Sequence, residues 1–187
     1  MLRRGAAIAL AAVALGACAG TGEQPAATAT TAPAAGSGDG GTVKRFAPPS
    51  GEVVLTVSGA IRSHNKGSNL ALDLATLERM GTVRLETTEP FLKKKVTFEG
   101  VPLWDLLQSA GVTDPAGKVH LTALDDYKVA FTLDQVRSSQ MLLATRSDGQ
   151  HMPIDKAGPT RIVFPEASTL GRNPDLWIWS VSTMRVS

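Results

Sequence analysis

Cysteine is almost absent from this sequence, since Cys18 is the only one in 187 residues. A single thiol cannot form an intramolecular disulfide or build a cysteine-ligated zinc site. The sequence also lacks the Gly-x-Ser-x-Gly, P-loop and His-Glu-x-x-His motifs. These absences exclude the hydrolase, nucleotide-hydrolysing and zinc-protease classes that depend on those motifs.

Neither sign of charge is in excess. Lys and Arg number 19 against 17 Asp and Glu, and the two extra cations are accounted for by Arg3 and Arg4. The remainder of the chain therefore has 17 of each and is formally neutral. A nucleic-acid-binding domain needs a basic face, so no nucleic-acid partner is expected.

The N-terminal residues predict export. Arg3 and Arg4 precede an apolar segment, residues 6–15, that is too short to cross a bilayer as a helix. Leu15-Gly16-Ala17-Cys18 resembles a bacterial lipobox, in which cleavage leaves Cys18 as a lipid-modified first residue; the alternative is an ordinary secretory signal. We interpret residues 1–18 as a lipoprotein signal peptide, and the protein as exported and lipid-anchored to a bacterial membrane, in the periplasm or at the cell surface.

Residues 19–50 are rich in Ala, Thr, Gly and Pro and have few large apolar side chains. Such a segment cannot bury enough surface to offset the entropy of ordering, so it is predicted to be a disordered tether. It contains a Gly-x-Gly-x-x-Gly match at Gly36, Gly38 and Gly41, but no strand precedes it and no helix follows, as dinucleotide binding requires. The folded domain is predicted to span residues 51–187.

Hydrophobic patterning predicts that this domain is α+β, strand-rich, with short helices. Asp73 is a candidate helix N-cap and Gly111 a candidate helix end. Ser147-Asp148-Gly149 predicts a sharp reversal between strands. In the alternating segment 176–186, Trp177 and Trp179 are expected on one strand face, in core or inter-sheet packing; the alternative is an aromatic platform for a ligand. The predicted strands are 53–61, 70–74, 82–88, 118–124, 128–131, 141–145, 162–164 and 176–186.

Two blocks of sequence carry a family resemblance. The first reads Phe98, Gly100-Val101-Pro102-Leu103, Asp105-Leu106-Leu107 and then Gly111. The second reads Leu143-Ala144, Asp148-Gly149, Met152-Pro153, Asp155, Gly158-Pro159, Arg161 and Pro165. In this order, they resemble the sulfite-oxidase-type molybdopterin-binding domain. The resemblance implies a mixed, strand-rich α+β fold with short helices, and an oxidoreductase-type scaffold.

One part of the family pattern is missing. In catalytically competent members, a cysteine before the Gly-Val-Pro-Leu helix ligates molybdenum, and a thiolate is a much stronger donor to that metal than a hydroxyl. The matching segment, Leu85–Phe91, has Thr87 and Thr88 but no cysteine. The resemblance therefore supports the fold more than the redox chemistry.

Arg161 is the leading candidate site residue because it lies between a rigid Gly-Pro and a buried strand, and its guanidinium suits an anion. The alternative is a structural ion pair with Asp155 or Asp148. With Arg161, we assign Arg146, His151 and Asp155 to a candidate ligand pocket; catalytic residues are not assigned and no metal ligand is expected.

Two further features leave alternatives open. His64 and His151 lie in predicted loops and, if they meet in space, would support a metal carrier. Lys93-Lys94-Lys95 is either a solvated loop or a contact for an anionic ligand or lipid headgroup.

The sequence thus predicts an exported binding or accessory module for a small anionic ligand or an envelope protein partner. No cofactor is expected, although the resemblance allows molybdopterin, and a molybdopterin-dependent oxidoreductase is the alternative. Membrane contact is predicted through lipid on Cys18.

Overall fold

The computed structural model describes residues 44–113 and 117–187. Cys18, the predicted signal peptide and most of the predicted tether lie outside the described residues. The last tether residues do contact the domain: the backbone carbonyl of Lys44 accepts a hydrogen bond from Ser63 at 2.9 Å, and that of Ala47 accepts one from Asn65 at 3.0 Å.

Ten strands and three short α-helices make up the described fold. The strands are β1 (Val53–Gly59), β2 (Leu70–Asp73), β3 (Val83–Glu89), β4 (Lys94–Pro102), β5 (Lys118–Ala123), β6 (Lys128–Thr132), β7 (Leu142–Ser147), β8 (Gln150–His151), β9 (Arg161–Val163) and β10 (Val181–Val186). The helices are α1 (Leu74–Arg79), α2 (Leu103–Ala110) and α3 (Leu133–Ser139). The predicted strand-rich α+β class is confirmed.

The strands form two sheets. One has the order β2-β1-β10-β5-β6, in which β1 and β10 run parallel and the other neighbours are antiparallel. The second has the order β3-β4-β7-β8, with β9 also pairing with β7. An isolated bridge between Arg161 and Trp179 links β9 to the segment before β10.

Helix ends follow the local signals. Asp73 caps α1, because its side chain accepts a hydrogen bond from the Thr76 backbone N–H at 2.7 Å. Gly111 ends α2 in the left-handed conformation, with φ of 72°. The hairpin between β7 and β8 turns at Asp148 and Gly149, both with positive φ, as predicted.

Both sheets and all three helices contribute to one hydrophobic core. Its fully buried members include Leu55, Leu77, Phe98, Leu103, Leu106, Phe131, Leu133, Leu143, Ile162 and Met184. Helix α2 buries the face formed by Leu103, Leu106, Leu107 and Ala110, as its sequence spacing predicts.

Two predicted strands differ from the observed ones. Leu74 begins α1 instead of ending β2, and all four β2 residues are buried, so alternation was the wrong pattern there. The C-terminal strand begins at Val181, because Pro174–Leu176 forms a 3-10 turn and Ser180 has a positive φ of 48°. Trp177 and Trp179 consequently separate: Trp177 packs on Phe164 in the core, while Trp179 is 40% exposed.

Candidate functional site

A cavity of about 510 Å³ lies at one end of the second sheet. Its wall combines the end of β3 and the turn that follows, the start of β4, the β7–β8 hairpin, and the loop before Arg161. Three of the four predicted pocket residues line it, namely Arg161, His151 and Asp155. Pockets of this size hold small-molecule ligands.

Arg161 forms a buried ion pair with the last residue of β3. Its Nη2 donates to Glu89 Oε1 at 2.9 Å, and the exposed fractions of the two side chains are 7% and 1%. The predicted partners Asp155 and Asp148 were wrong. Asp148 instead accepts a hydrogen bond from the Thr97 backbone N–H, and Asp155 lies in an exposed 3-10 turn, so neither carboxylate pairs with the guanidinium.

Aromatic rings flank the guanidinium. Its carbon lies 5.2 Å from the ring centroid of Phe98 and 5.2 Å from that of Trp179, within the range of cation–π attraction. Burial lowers the pKa of Arg161, and the hydrogen bond to Glu89 opposes that shift. The side chain is still charged near neutral pH, because an arginine has so high an ordinary pKa.

The guanidinium is short of hydrogen-bond acceptors. It carries five N–H donors, yet among the described residues it donates one hydrogen bond, to Glu89. Its Nε is buried without a partner. A buried polar group without a partner costs free energy, so Arg161 has donor capacity that the described residues leave unfilled.

Glu89 also binds the turn that follows β3. Its other oxygen, Oε2, accepts hydrogen bonds from the backbone N–H groups of Phe91, at 2.8 Å, and Leu92. The carboxylate therefore fixes the turn between β3 and β4 while it neutralises Arg161. Both functions lie on the wall of the same cavity.

Arg146 and His151 are held by Glu78 on α1. Arg146 Nε lies 2.8 Å and His151 Nε2 2.9 Å from Glu78 Oε1. We call Glu78, Arg146 and His151 the Glu78 cluster. His151 also lines the cavity, whereas Arg146 does not. Arg146 is thus placed to attach the β7–β8 hairpin to α1.

The arrangement of the histidines gives no support to a metal site. Among residues 44–113 and 117–187, no group of three or more His, Cys, Asp or Glu side chains could hold a metal ion. His120 is exposed on β5, and its Nε2 lies 3.1 Å from Ser187 Oγ. In the same part of the chain, no helix is long and apolar enough to cross a membrane.

Sequence reasoning missed Glu89 and Phe98 as site residues, and it considered Trp179 only as part of an aromatic ligand platform shared with Trp177. A signal for Glu89 was present, because Val83, Leu85, Thr87 and Glu89 alternate along one face of β3, and burial increases toward Glu89. A carboxylate at an inward position of a strand indicates a buried cationic partner.

The Glu78 cluster predicts a pH-dependent contribution to stability. The hydrogen bond from Arg146, above all, lowers the pKa of Glu78 from 4.5 to about 2. Because the folded pKa is the lower one, the stabilisation is complete above pH 4.5 and is lost as the pH falls toward 2. We expect Glu78→Gln to lower the free energy of unfolding by about 1 kcal/mol at neutral pH, as measured by urea denaturation.

The difference in the free energy of unfolding between Glu78→Gln and the original protein is expected to shrink as the pH falls. Glu52→Gln is the matched control, because Glu52 is exposed and forms no ion pair within the described residues. A difference that stays constant from neutral pH to acid would contradict the assigned role of Glu78.

The Arg161–Glu89 pair predicts strong energetic coupling. Arg161→Met leaves a buried carboxylate without its cation and is expected to cost about 3 kcal/mol or more. Glu89→Gln should also destabilise, and the double variant should lose about 2 kcal/mol less than the sum of the single variants. Urea denaturation of all four proteins measures this coupling.

The matched control is the exposed pair Arg84–Glu99, at 2.8 Å, in which 72% of the arginine side chain is exposed. Its coupling should stay below about 1 kcal/mol. Equal coupling in the two pairs would show that burial does not strengthen the Arg161–Glu89 interaction.

Comparison with known proteins identifies the scaffold. Residues 68–180 match the family model described as the oxidoreductase molybdopterin binding domain. The structure is similar to the crystal structure of the sulfane dehydrogenase SoxCD from Paracoccus pantotrophus, with a TM-score of 0.55 and 17% sequence identity. The similarity covers 71% of this chain and 37% of the matched SoxCD chain, so this chain spans little more than a third of the length of that SoxCD chain. None of the curated proteins matches. The suspected relationship is confirmed: this chain belongs to the oxidoreductase molybdopterin-binding domain family.

Proposed function

We propose that the domain is a binding module that takes a small anionic ligand into the Arg161 cavity, without molybdenum redox chemistry of its own. One observation carries the proposal: the buried Arg161 lines the cavity with one hydrogen bond to the described residues. An anionic oxygen would supply the acceptors that the guanidinium lacks, through charge-assisted hydrogen bonds.

Shape and charge narrow the class of ligand. Phe91, Phe98 and Trp179 line the cavity and favour a flat, conjugated molecule. Lys94 and Lys156 add two cations. Of the lining carboxylates, Glu89 and Asp148 already accept hydrogen bonds from the protein. With Asp155 the wall has three carboxylates against three cations, Arg161, Lys94 and Lys156. The support for an anionic ligand therefore comes from the N–H donors of Arg161 that the described residues leave unfilled, and not from an excess of positive charge.

The donor set does not fit a molybdenum centre. The segment that carries the family's cysteine contributes Glu89 and Phe91 to the cavity wall. Thr87 is buried elsewhere, and Thr88 donates a hydrogen bond to Glu166 at 2.7 Å. No cavity residue offers a thiolate, and the Glu89 carboxylate is occupied by Arg161 and two backbone N–H groups.

A molybdopterin-dependent oxidoreductase is the alternative, and family membership supports it. It requires metal and pterin to copurify with the protein. The third function considered, a histidine-based metal carrier, gains no support, because His151 is paired with Glu78.

For the location, we propose export and lipid anchoring at Cys18, which the Leu15-Gly16-Ala17-Cys18 motif supports. An envelope location also allows a protein partner in the same compartment.

Ligand binding is tested with pterin-6-carboxylate as a flat anionic probe. Because Trp179 lines the cavity, we expect the probe to quench its fluorescence. Arg161→Lys keeps the charge but loses the planar fork, and should weaken binding about tenfold. Unsubstituted pterin is the neutral control probe, and thermal unfolding confirms that the variant is folded.

Equal affinity of the original protein and Arg161→Lys for the anionic probe would contradict the proposal. The alternative is tested on protein produced in a host that makes molybdopterin, by elemental analysis and oxidised-pterin fluorescence. We expect no stoichiometric molybdenum. Molybdenum and pterin at near-equal stoichiometry would instead establish the oxidoreductase.

Anchoring is tested by the Cys18→Ala variant in a bacterial host. The original protein should incorporate labelled palmitate and sediment with membranes, whereas the variant should incorporate none. Labelling that survives the substitution would contradict lipidation at Cys18. Ser37→Ala, in the predicted tether, is the control.

A further inference from the structure

The turn between β3 and β4 presents apolar side chains to solvent. Phe91 is 50% exposed and Leu92 is 61% exposed. Lys93, Lys94 and Lys95 follow directly, and all three are exposed. We call residues Phe91–Lys95 the hairpin tip.

The hairpin tip is held in this conformation from inside the protein. The buried Glu89 carboxylate accepts hydrogen bonds from the Phe91 and Leu92 backbone N–H groups, and the Glu89 carbonyl accepts one from Lys93 at 2.9 Å. These bonds fix the backbone and do not involve the side chains. Phe91 and Leu92 are therefore kept outside the core by a built feature of the fold.

Trp179 extends the apolar surface. It is 40% exposed, and its ring centroid lies 4.9 Å from that of Phe91 in an edge-to-face arrangement. Contiguous exposed apolar side chains of this kind mark interaction surfaces. The three side chains give the hairpin tip an apolar centre.

The charges beside this centre are positive. Neither Lys93 nor Lys94 forms an ion pair within the described residues, while Lys95 is paired with Glu86 and Glu166. Cores of protein–protein interfaces are depleted in lysine. In contrast, lysines next to exposed aromatic and aliphatic side chains suit an anionic bilayer, where the apolar groups enter the headgroup region and the amines meet lipid phosphates.

We propose that the hairpin tip, together with Trp179, is a docking surface for an anionic lipid bilayer. This inference goes beyond ligand binding and does not depend on it. Because Phe91, Leu92 and Lys94 also line the cavity, docking would place the cavity against the bilayer surface. A ligand would then enter from the lipid interface.

The test is co-sedimentation with vesicles, using the chain from Ala19 onward without lipid. This chain contains every described residue, all in the compact unit Asp39–Ser187, and it omits the apolar signal segment. One set of vesicles is phosphatidylcholine alone, and the other contains one third phosphatidylglycerol. We expect binding to the anionic vesicles, weakened by high salt, and little binding to the neutral ones.

Substitutions separate the contribution of the lysine charges to vesicle binding from that of the apolar side chains. Lys93→Glu and Lys94→Glu should each weaken binding about fivefold or more. The double variant Phe91→Ser/Leu92→Ser should weaken it about tenfold or more. Leu92→Ser alone is included because Phe91 also packs on Trp179. Unchanged unfolding midpoints show that the variants are folded.

The matched controls are Val83→Ser, with Val83 44% exposed at the opposite end of β3, and Lys128→Glu on the other sheet. Neither should change binding. Equal binding to neutral and anionic vesicles, or equal loss in the control variants, would overturn the proposal. Absence of vesicle binding would also overturn it and assign the hairpin tip to a protein partner.

Discussion

The buried contact between Arg161 and Glu89 is the interaction on which this end of the molecule depends. It joins two strands that are not neighbours, because β4 and β7 lie between β3 and β9 in the second sheet. Taking two charges out of water is costly, so such a pair persists only where geometry and further hydrogen bonds compensate. Glu89 gains those bonds from the following turn, whereas Arg161 remains short of acceptors. Among the described residues, the cavity wall thus has a carboxylate with its hydrogen bonds filled beside a guanidinium with unfilled donors.

The same contact explains how the family scaffold can lose its metal ligand and still keep an organised pocket. The segment that carries a cysteine in competent members here contains the Glu89 carboxylate, which binds Arg161 and the following turn. The polar wall of the cavity and the support of the hairpin tip therefore come from one pair of side chains. Arg146 and His151 hold the neighbouring hairpin to α1 through Glu78, which positions another part of the cavity wall.

Local structure was predictable wherever a short-range signal decides it. Asp73 and Gly111 bound helices because cap geometry needs only adjacent backbone groups. The Asp148-Gly149 reversal follows from the left-handed conformations that this dipeptide accepts. Prediction failed at β2, because burial on both faces removes alternation. It also failed at residues 176–180, because a 3-10 turn and the positive-φ residue Ser180 precede the final strand, which begins at Val181.

The sequence by itself determined the family and the α+β class, the apolar faces of the elements, and the lack of a thiolate in residues 85–91. It also indicated Arg161 as a candidate site residue, since a guanidinium between a rigid Gly-Pro and a buried strand is a local feature. Only the tertiary structure decided that Arg161 pairs with Glu89, that Arg146 turns to Glu78, and that Trp179 leaves the core. Those outcomes depend on which side chains the two sheets bring within a few ångströms of each other, and contacts across 72 residues of chain leave no periodic trace in the sequence.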